Sequence, residues 1–295
     1  MNQRNAFLRL YRLSSIATAI AAAAWAQPAR LDTAIARAVE YLEDEVPRWK
    51  AENGCYSCHN DGDGARALLA AGRRAKIGDT IAFLSQTGEW QGHGQERGSA
   101  VLSTVQFASA LIASRPEPAA ATDAAMRVAA AQSKDGHWRV EEEQGPGSPA
   151  TYGPFLGTYL AREVLRRVAP DEYRGAIARA NRWLAETPPK YPVDDAAVAL
   201  ALGREEDAAR LIARQAASGS WNGEVFDTAL SVLALARRGD AESRQAVRRG
   251  AEFLLATQLE PGGWPGTTRP AGGQSYAQHI STSAWALVAL TALRS

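Results

Sequence analysis

The chain has 295 residues, of which 46% are hydrophobic and 22% charged, so it can form one large domain with a sizeable core. The same composition excludes extended disorder. The formal net charge is +1 and the Lys and Arg residues are scattered, which argues against a nucleic-acid-binding protein.

The N-terminus has the features of a secretory signal. Three arginines are followed by an apolar stretch from Ser14 to Ala24, which is too short to span a bilayer. Ala24-Trp25-Ala26 is a cleavage site of the A-x-A type, so we expect a signal peptide over 1–26 and one exported domain over 27–295. The alternative is an amphipathic helix that stays attached. No later apolar run is long enough for a membrane span, and we expect a periplasmic or secreted protein.

The chain's two cysteines lie just after the first predicted helix, in Gly54-Cys55-Tyr56-Ser57-Cys58-His59. Cys-x-x-Cys-His is the attachment motif of c-type haem, in which two thiols bond one porphyrin and the adjacent His binds the iron. Haem would imply a redox role and an electron-transfer partner. A zinc or other metal site completed by distant ligands, a disulfide and free thiols are the alternatives.

Beyond this motif the chain repeats a unit of roughly 40 residues, about six times in all. The marker of the unit is a Gln followed by Gly-x-Trp, and its copies are Gln132–Trp138, Gln215–Trp221, Gln258–Trp264 and a shortened Gln86–Trp90. Each unit has a first helix that ends near the Gln and a second, more apolar helix that follows a Ser, Thr or Asp cap. First helices are predicted near 31–46, 76–86, 119–132, 171–186, 204–215 and 244–258. Second helices are predicted at 63–71, 99–112, 151–164, 195–202, 227–236 and 281–290.

Two kinds of helix alternating six times predict two concentric rings, an all-α (α/α)6 toroid with the apolar second helices inside. An open solenoid is the alternative. The pattern Arg249-Gly250-x-x-Phe253-Leu254-x-x-x-Gln258-x-x-x-Gly262-x-Trp264 resembles the QW repeat of squalene and oxidosqualene cyclases, and protein prenyltransferases are similar in fold. The resemblance implies the toroid fold and makes the repeated Gln and Trp residues part of the scaffold. It also allows an isoprenoid-binding protein or a degenerate terpene cyclase without haem. A protein-binding scaffold is a third possibility, with the acidic loop 140–147 as its surface.

The catalytic motifs of these families are incomplete here. The closest match to the Asp-x-Asp-Asp acid motif of class II cyclases is Pro192-Val193-Asp194-Asp195, which also fits a helix cap. The prenyltransferases hold zinc with Asp, Cys and His; Asp227 and His279 match the Asp and His, but Ala229 stands near the place of the Cys. Asp194, Asp195 and Asp227 are therefore weak catalytic candidates.

The position of the loops suggests a shared site. In a toroid, the loops between first and second helices lie at one end, so Cys55, Cys58 and the chain's histidines should gather at one rim. Units one, two and six are neighbours in a closed ring, so His93 and His279 join His59 as candidate metal ligands and are the candidates for a sixth iron ligand. The alternative for each histidine is a loop residue packed near a Trp.

Overall fold

The computed structural model describes residues 4–90, 100–140, 152–266 and 275–294, with side chains from residue 28 onward. In these ranges the chain forms α-helices and no strand, as the sequence predicts. The outer helices are α1 Arg4–Asn53, α3 Gly78–Ser85, α5 Pro118–Ala130, α7 Arg174–Glu186, α9 Glu205–Ala213 and α11 Ala241–Thr257. The inner helices are α2 Ala65–Ala70, α4 Ala100–Ala113, α6 Gly153–Val168, α8 Pro192–Leu202, α10 Val225–Ala236 and α12 Tyr276–Ala292.

The inner helices form a closed ring. Each packs against the next from α2 through α12, and α12 packs back against α2 and the turn that precedes it. Helices α5, α7, α9 and α11 each pack on the inner helix that precedes them in the chain, α3 packs on α4, and α1 packs on α12 and α11, where the ring meets its beginning. The predicted toroid is thus confirmed, and the open solenoid is excluded.

Local sequence explains the two layers. Along α10 every residue from Val225 to Leu235 is buried, and its small apolar side chains allow close packing against neighbours on all sides. Helix α11 begins at a cap, where Asp240 accepts a hydrogen bond from the backbone N–H of Ser243. Its buried positions include Ala246, Gly250 and Leu254, which recur at helical spacing and face inward.

The Gln and Trp of each repeat join neighbouring units. The Gln258 amide donates to the carbonyl of Gly262 in its own loop (2.8 Å) and to that of Ala34 on α1 (2.9 Å), so it closes the ring. The indole N–H of Trp264 donates to the Leu254 carbonyl on α11 at 2.7 Å. Gln132 and Gln215 make the same pair of bonds, to α7 and α11 respectively. The scaffold role predicted for these residues is confirmed.

The first unit differs from the others. A π-helical turn, Cys58–Gly64, precedes the short α2 and replaces the Gly-x-Trp loop. Helix α1 is one continuous helix across the predicted cleavage site near Ala26, so export and cleavage stay predictions. Within the described residues, no helix combines the length and apolar character that a membrane span needs.

Candidate functional site at the toroid axis

Asp63, at the end of the π-helical turn, is fully buried and bound by residues from three other units. One carboxylate oxygen accepts from the Tyr152 hydroxyl at 2.6 Å. The other accepts from Gln106 Nε2 and Ser281 Oγ, each at 2.8 Å. Burial raises the pKa of Tyr152 well above its usual value, so this phenol keeps its proton and donates. Since its donors come from α4, α12 and the start of α6, Asp63 lies at the axis where these inner helices meet.

Tyr152, which donates to this carboxylate, belongs to a cluster of three aromatic rings. The ring centroids of Tyr152, Phe226 and Trp285 lie 6.0 to 6.3 Å apart, and all three side chains are buried. The guanidinium of Arg66 lies 3.9 Å from the centroid of the Trp285 ring, and its Nη2 is 3.5 Å from Asp63. The axis therefore combines one carboxyl group with aromatic faces that can stabilise a cation, and one such face already carries Arg66.

The π-helical turn gives this carboxyl group its position. The Ser57 side chain caps the turn by accepting from the His59 N–H, and Asp61 accepts from the Ser57 N–H and from the Thr80 hydroxyl. The turn packs so closely on α4 that only glycine fits at position 62, because a Cβ on Gly62 would lie 2.8 Å from the Cβ of Gln106. Burial raises the pKa of Asp61 to about 6. π-Helical turns are rare and are often found at functional sites, as is a carboxyl group with a shifted pKa.

The Cys-x-x-Cys-His motif leads into this turn. Cys55 is exposed and Cys58 is half-buried, and neither forms a disulfide. The Cys58 Sγ lies 3.3 Å from Nδ1 of the buried His59. Burial, with a smaller effect of Asp63, raises the pKa of Cys58 to about 12, and burial lowers that of His59. The turn thus presents a protonated thiol and a neutral imidazole at neutral pH.

His279 and His137 each contact a neighbouring group of their own. His279 Nδ1 lies 3.2 Å from the carbonyl oxygen of Trp264, and His137 pairs with Asp135 and stacks on Trp183. His93 and most of the acidic loop 140–147 lie outside the described residues. Over the part of the chain that the structure describes, no three His, Cys, Asp or Glu side chains form a group that could hold a metal.

The acidic residues singled out by the sequence have other partners. Asp194 accepts from the backbone N–H groups of Lys190 and Tyr191 and so caps α8. Asp195 forms ion pairs with Arg210 and Arg214. Asp227 is buried near the start of α10. For Asp194 the structure therefore confirms the alternative that it caps a helix.

Sequence reasoning missed Asp61 and Asp63 as the acid candidates. Asp61-Gly62-Asp63 is itself an Asp-x-Asp pair at the start of an inner helix, with Gly64 where the acid motif would carry a further Asp. The Asp-x-Asp pair begins two residues after the Cys-x-x-Cys-His motif, whose His59 ends it.

One described cavity reaches the toroid interior, and its volume is about 180 Å3. It is lined by Arg66 and Trp285 but not by Asp63, and it is smaller than the roughly 300–1,000 Å3 typical of pockets for drug-sized ligands. A large ligand would therefore have to approach Asp63 from the other end, where the inner helices begin.

Comparison with solved structures gives the fold a name. Structures of the type II terpene cyclase MstE from Scytonema superpose over nearly the whole chain. A variant bound to geranylgeranyl dihydroxybenzoate, its substrate, has 16% identity and a TM-score of 0.60, covering 92% of this chain and 99% of that chain. A variant bound to the product merosterolic acid A has 15% identity and a TM-score of 0.59, covering 91% and 98%.

The ligand-free enzyme has 17% identity and a TM-score of 0.55, covering 89% and 97%. This chain has the terpene cyclase fold. Identities this low show the fold alone, and activity has to be argued from the site. No protein-family model matches the sequence, nor does any curated protein.

Proposed function

We propose that this protein binds an isoprenoid within its toroid and that Asp63 is its candidate proton donor. One observation carries the proposal: a buried carboxyl group contacts an aromatic cluster at the axis of the fold. In the MstE structures the same fold holds geranylgeranyl dihydroxybenzoate or merosterolic acid A. Aromatic side chains and a water-excluded carboxyl group suit an apolar, alkene-bearing ligand.

The chemistry open to this site is alkene protonation. The Asp63 proton would add to one alkene carbon and leave a carbocation on its neighbour. A second alkene of the same chain would attack this cation, close a ring and carry the positive charge onward, until loss of a C–H proton to water restores a neutral alkene; proton uptake from solvent then restores the Asp63 acid. Hydrogen bonds from Tyr152, Gln106 and Ser281 would hold the carboxylate that remains after the proton has left. The face of Phe226 can stabilise the cation, whereas Trp285 already carries Arg66.

One experiment distinguishes isoprenoid binding from alkene protonation by Asp63. Purified full-length protein is incubated with farnesol or geranylgeraniol; binding is followed by calorimetry, and the extracted products by mass-detected gas chromatography. We expect both proteins, wild type and Asp63→Asn, to bind, and only the wild type to form cyclised products. Asp135→Asn, in an exposed loop, is the matched control and should behave as wild type.

Two results would change the conclusion. Binding by wild type without any product identifies a ligand-binding protein that has no acid chemistry. Absence of binding to both alcohols contradicts the proposed function as a whole.

A second candidate function is attachment of haem c at Cys55 and Cys58, with His59 as the proximal ligand and a redox role. Two features of the described residues favour it. Cys55 is exposed and Cys58 is half-buried, and neither thiol is engaged in a disulfide. His59 adjoins Cys58, and burial favours its neutral form, which is the one that binds iron.

Haem attachment is tested by expressing the full chain in a bacterial host that has haem-maturation machinery. We expect a Soret band that resists acid-acetone extraction, a mass gain of one haem, and an N-terminus at Gln27 if the signal is cleaved. The variant Cys55→Ser/Cys58→Ser should lose the band. A colourless wild-type protein recovered from the periplasm excludes this candidate and leaves isoprenoid binding untouched.

A further inference from the structure

The interior cavity of about 180 Å3 opens at the end of the toroid where the inner helices finish. It is lined by Ala70, Ala113 and Arg167, which lie at the ends of α2, α4 and α6, and by Arg237, which follows α10. This end is opposite to the one where Asp63 and the Cys-x-x-Cys-His motif precede α2. The cavity therefore opens at the other end from the site proposed above, and Arg66 and Trp285 border both.

Its walls are apolar and its polar groups are mainly cationic. Leu160, Val164, Leu233 and the Trp285 ring form walls, and the guanidinium of Arg66 lies on that ring at the inner end. About a tenth of the Arg66 side-chain surface is accessible (11%). Arg66 Nε and Nη2 have no hydrogen-bond partner among the described residues, and neither has the buried hydroxyl of Ser109, which also lines the cavity.

Asp63 pairs with Arg66 at 3.5 Å, but Glu163, the carboxylate that lines the cavity, does not balance Arg167 and Arg237. Glu163 is bonded by Arg162 and Arg166 as well as lying 3.9 Å from Arg167, so its charge is already shared among three guanidinium groups. Arg237 reaches only neutral acceptors among the described residues, the Leu200 carbonyl and the Tyr159 hydroxyl, each at 3.3 Å. The helix C-termini here carry partial negative charge, but full guanidinium charges outweigh it. The result is an electropositive cavity with apolar walls.

Its size limits what it can hold. At roughly 30 Å3 per water molecule, the volume corresponds to about six waters, or a molecule of about six to eight non-hydrogen atoms. A polyprenyl chain is too large. A small carboxylate with a branched apolar body fits, because guanidinium groups bind carboxylates with charge-assisted hydrogen bonds while the walls remove the body from water.

We propose that this cavity is a binding site for a small branched carboxylate, with Arg237 and Arg167 at its mouth and Arg66 at its inner end. The proposal does not require isoprenoid binding at the axis, since its mouth and its test residue Arg237 lie at the opposite end of the toroid, although Arg66 and Trp285 border both places.

The test uses 3-methylbutanoate as the probe and 3-methylbutanamide as its uncharged isostere, with the full chain and calorimetry or ligand-observed NMR. We expect the carboxylate to bind at least tenfold more tightly than the amide, and acetate to bind at least tenfold more weakly than 3-methylbutanoate. Arg237→Gln should weaken carboxylate binding about tenfold and leave the amide unchanged. Arg238→Gln removes the adjacent charge, which pairs with Asp240 instead, and should bind as wild type.

If 3-methylbutanoate and 3-methylbutanamide bind with equal affinity, the guanidinium charges do not select the ligand. If acetate binds as tightly as 3-methylbutanoate, the apolar walls do not contribute to binding. An unchanged affinity in Arg237→Gln, or the same loss in Arg238→Gln, would place the anion elsewhere. Arg66→Met should abolish binding of the carboxylate. This variant also leaves Asp63 without its charged neighbour, so if Arg66→Met fails to fold, the result for Arg237→Gln decides whether the cavity binds the anion.

Discussion

At the scale of single residues, the glycines of this chain differ in whether the structure requires glycine at their position. Gly262 has φ of +101° and sits where a Cβ would come 2.3 Å from the Arg37 carbonyl oxygen, so both conformation and space require glycine. Gly239 has neither constraint, because nothing lies within 4 Å of a Cβ built there. The Gly of Gly-x-Trp is therefore part of the contact between units.

Gly262→Ala should lower the free energy of unfolding by at least about 2 kcal/mol, because a left-handed backbone and a steric clash both oppose the methyl group. Chemical denaturation measures this. Gly239→Ala is the control and should change stability by less than about 0.5 kcal/mol. Comparable losses in the two variants would contradict the packing described for the repeat.

Asp63 is the acceptor that joins the hydrogen-bond network at the toroid axis. Asp63→Ala leaves the Tyr152, Gln106 and Ser281 donors without their acceptor and Arg66 without its nearby carboxylate. We expect a loss of about 3–5 kcal/mol, as for breaking a buried charge interaction, and a smaller loss for Asp63→Asn, which keeps one acceptor oxygen. A loss below about 1 kcal/mol for Asp63→Ala would show that the network is not formed in solution.

At the scale of elements, ion pairs join helices that have little apolar surface to share. Helix α9 is short, and Asp207 within it is fully buried while it accepts hydrogen bonds from Arg204 and Arg210. Arg210 also donates a hydrogen bond to Asp195 on α8 and so links the two helices. The sequence pattern marks α9 as amphipathic, but only the fold shows that its buried face contains a carboxylate.

Asp207 should make the stability of the chain depend on acid pH. Burial by itself would raise the pKa of this carboxyl, but the hydrogen bonds from Arg204 and Arg210 outweigh it and hold the pKa below its usual value. The group therefore contributes stability above its unfolded pKa of about 3.9, and the contribution disappears as the pH falls through the lower folded pKa.

We expect Asp207→Asn to lose about 2 kcal/mol at pH 7 and to approach wild type as the pH falls below about 4. Thermal melts of both proteins between pH 7 and 3 test this. A difference that stays constant over this range would mean that the ion pairs contribute nothing specific to the charged form.

At the scale of the whole molecule, closure of the ring makes the first and last units neighbours. The Gln258 amide reaches Ala34, and the Tyr276 hydroxyl accepts from Asn60 Nδ2 at 2.8 Å while its ring stacks on Trp49. Each of these contacts joins residues more than 200 positions apart, as in the Gln258–Ala34 pair with a separation of 224. Such contacts couple all units into one cooperative structure.

Gln258→Ala and Gln132→Ala each remove two amide hydrogen bonds, so each should cost about 1–3 kcal/mol. In a closed ring both variants should unfold in one transition, which calorimetry detects. A separate early transition in Gln258→Ala alone would show that the first helix detaches and that the ring behaves as an open array.

The sequence by itself determined the helices, their alternation and the scaffold residues, because the hydrophobic period, the caps and the Gly-x-Trp loops are local signals. The predicted second helix at 227–236 and the observed α10, Val225–Ala236, differ by two residues at one end. Six repeats of one unit favoured closure but left an open solenoid as the alternative, and the packing of α12 on α2 decided between them.

Only the tertiary structure decided which carboxyl group lies at the axis. Asp63, Asp194, Asp195 and Asp227 all precede or begin inner helices, so their local patterns are alike, and their partners come from other units or from backbone groups. The same holds for Arg167 and Arg237 of the interior cavity, because the packing of distant helices decides which carboxylates reach them. Burial and partner choice are long-range properties, and no local pattern in the chain encodes them.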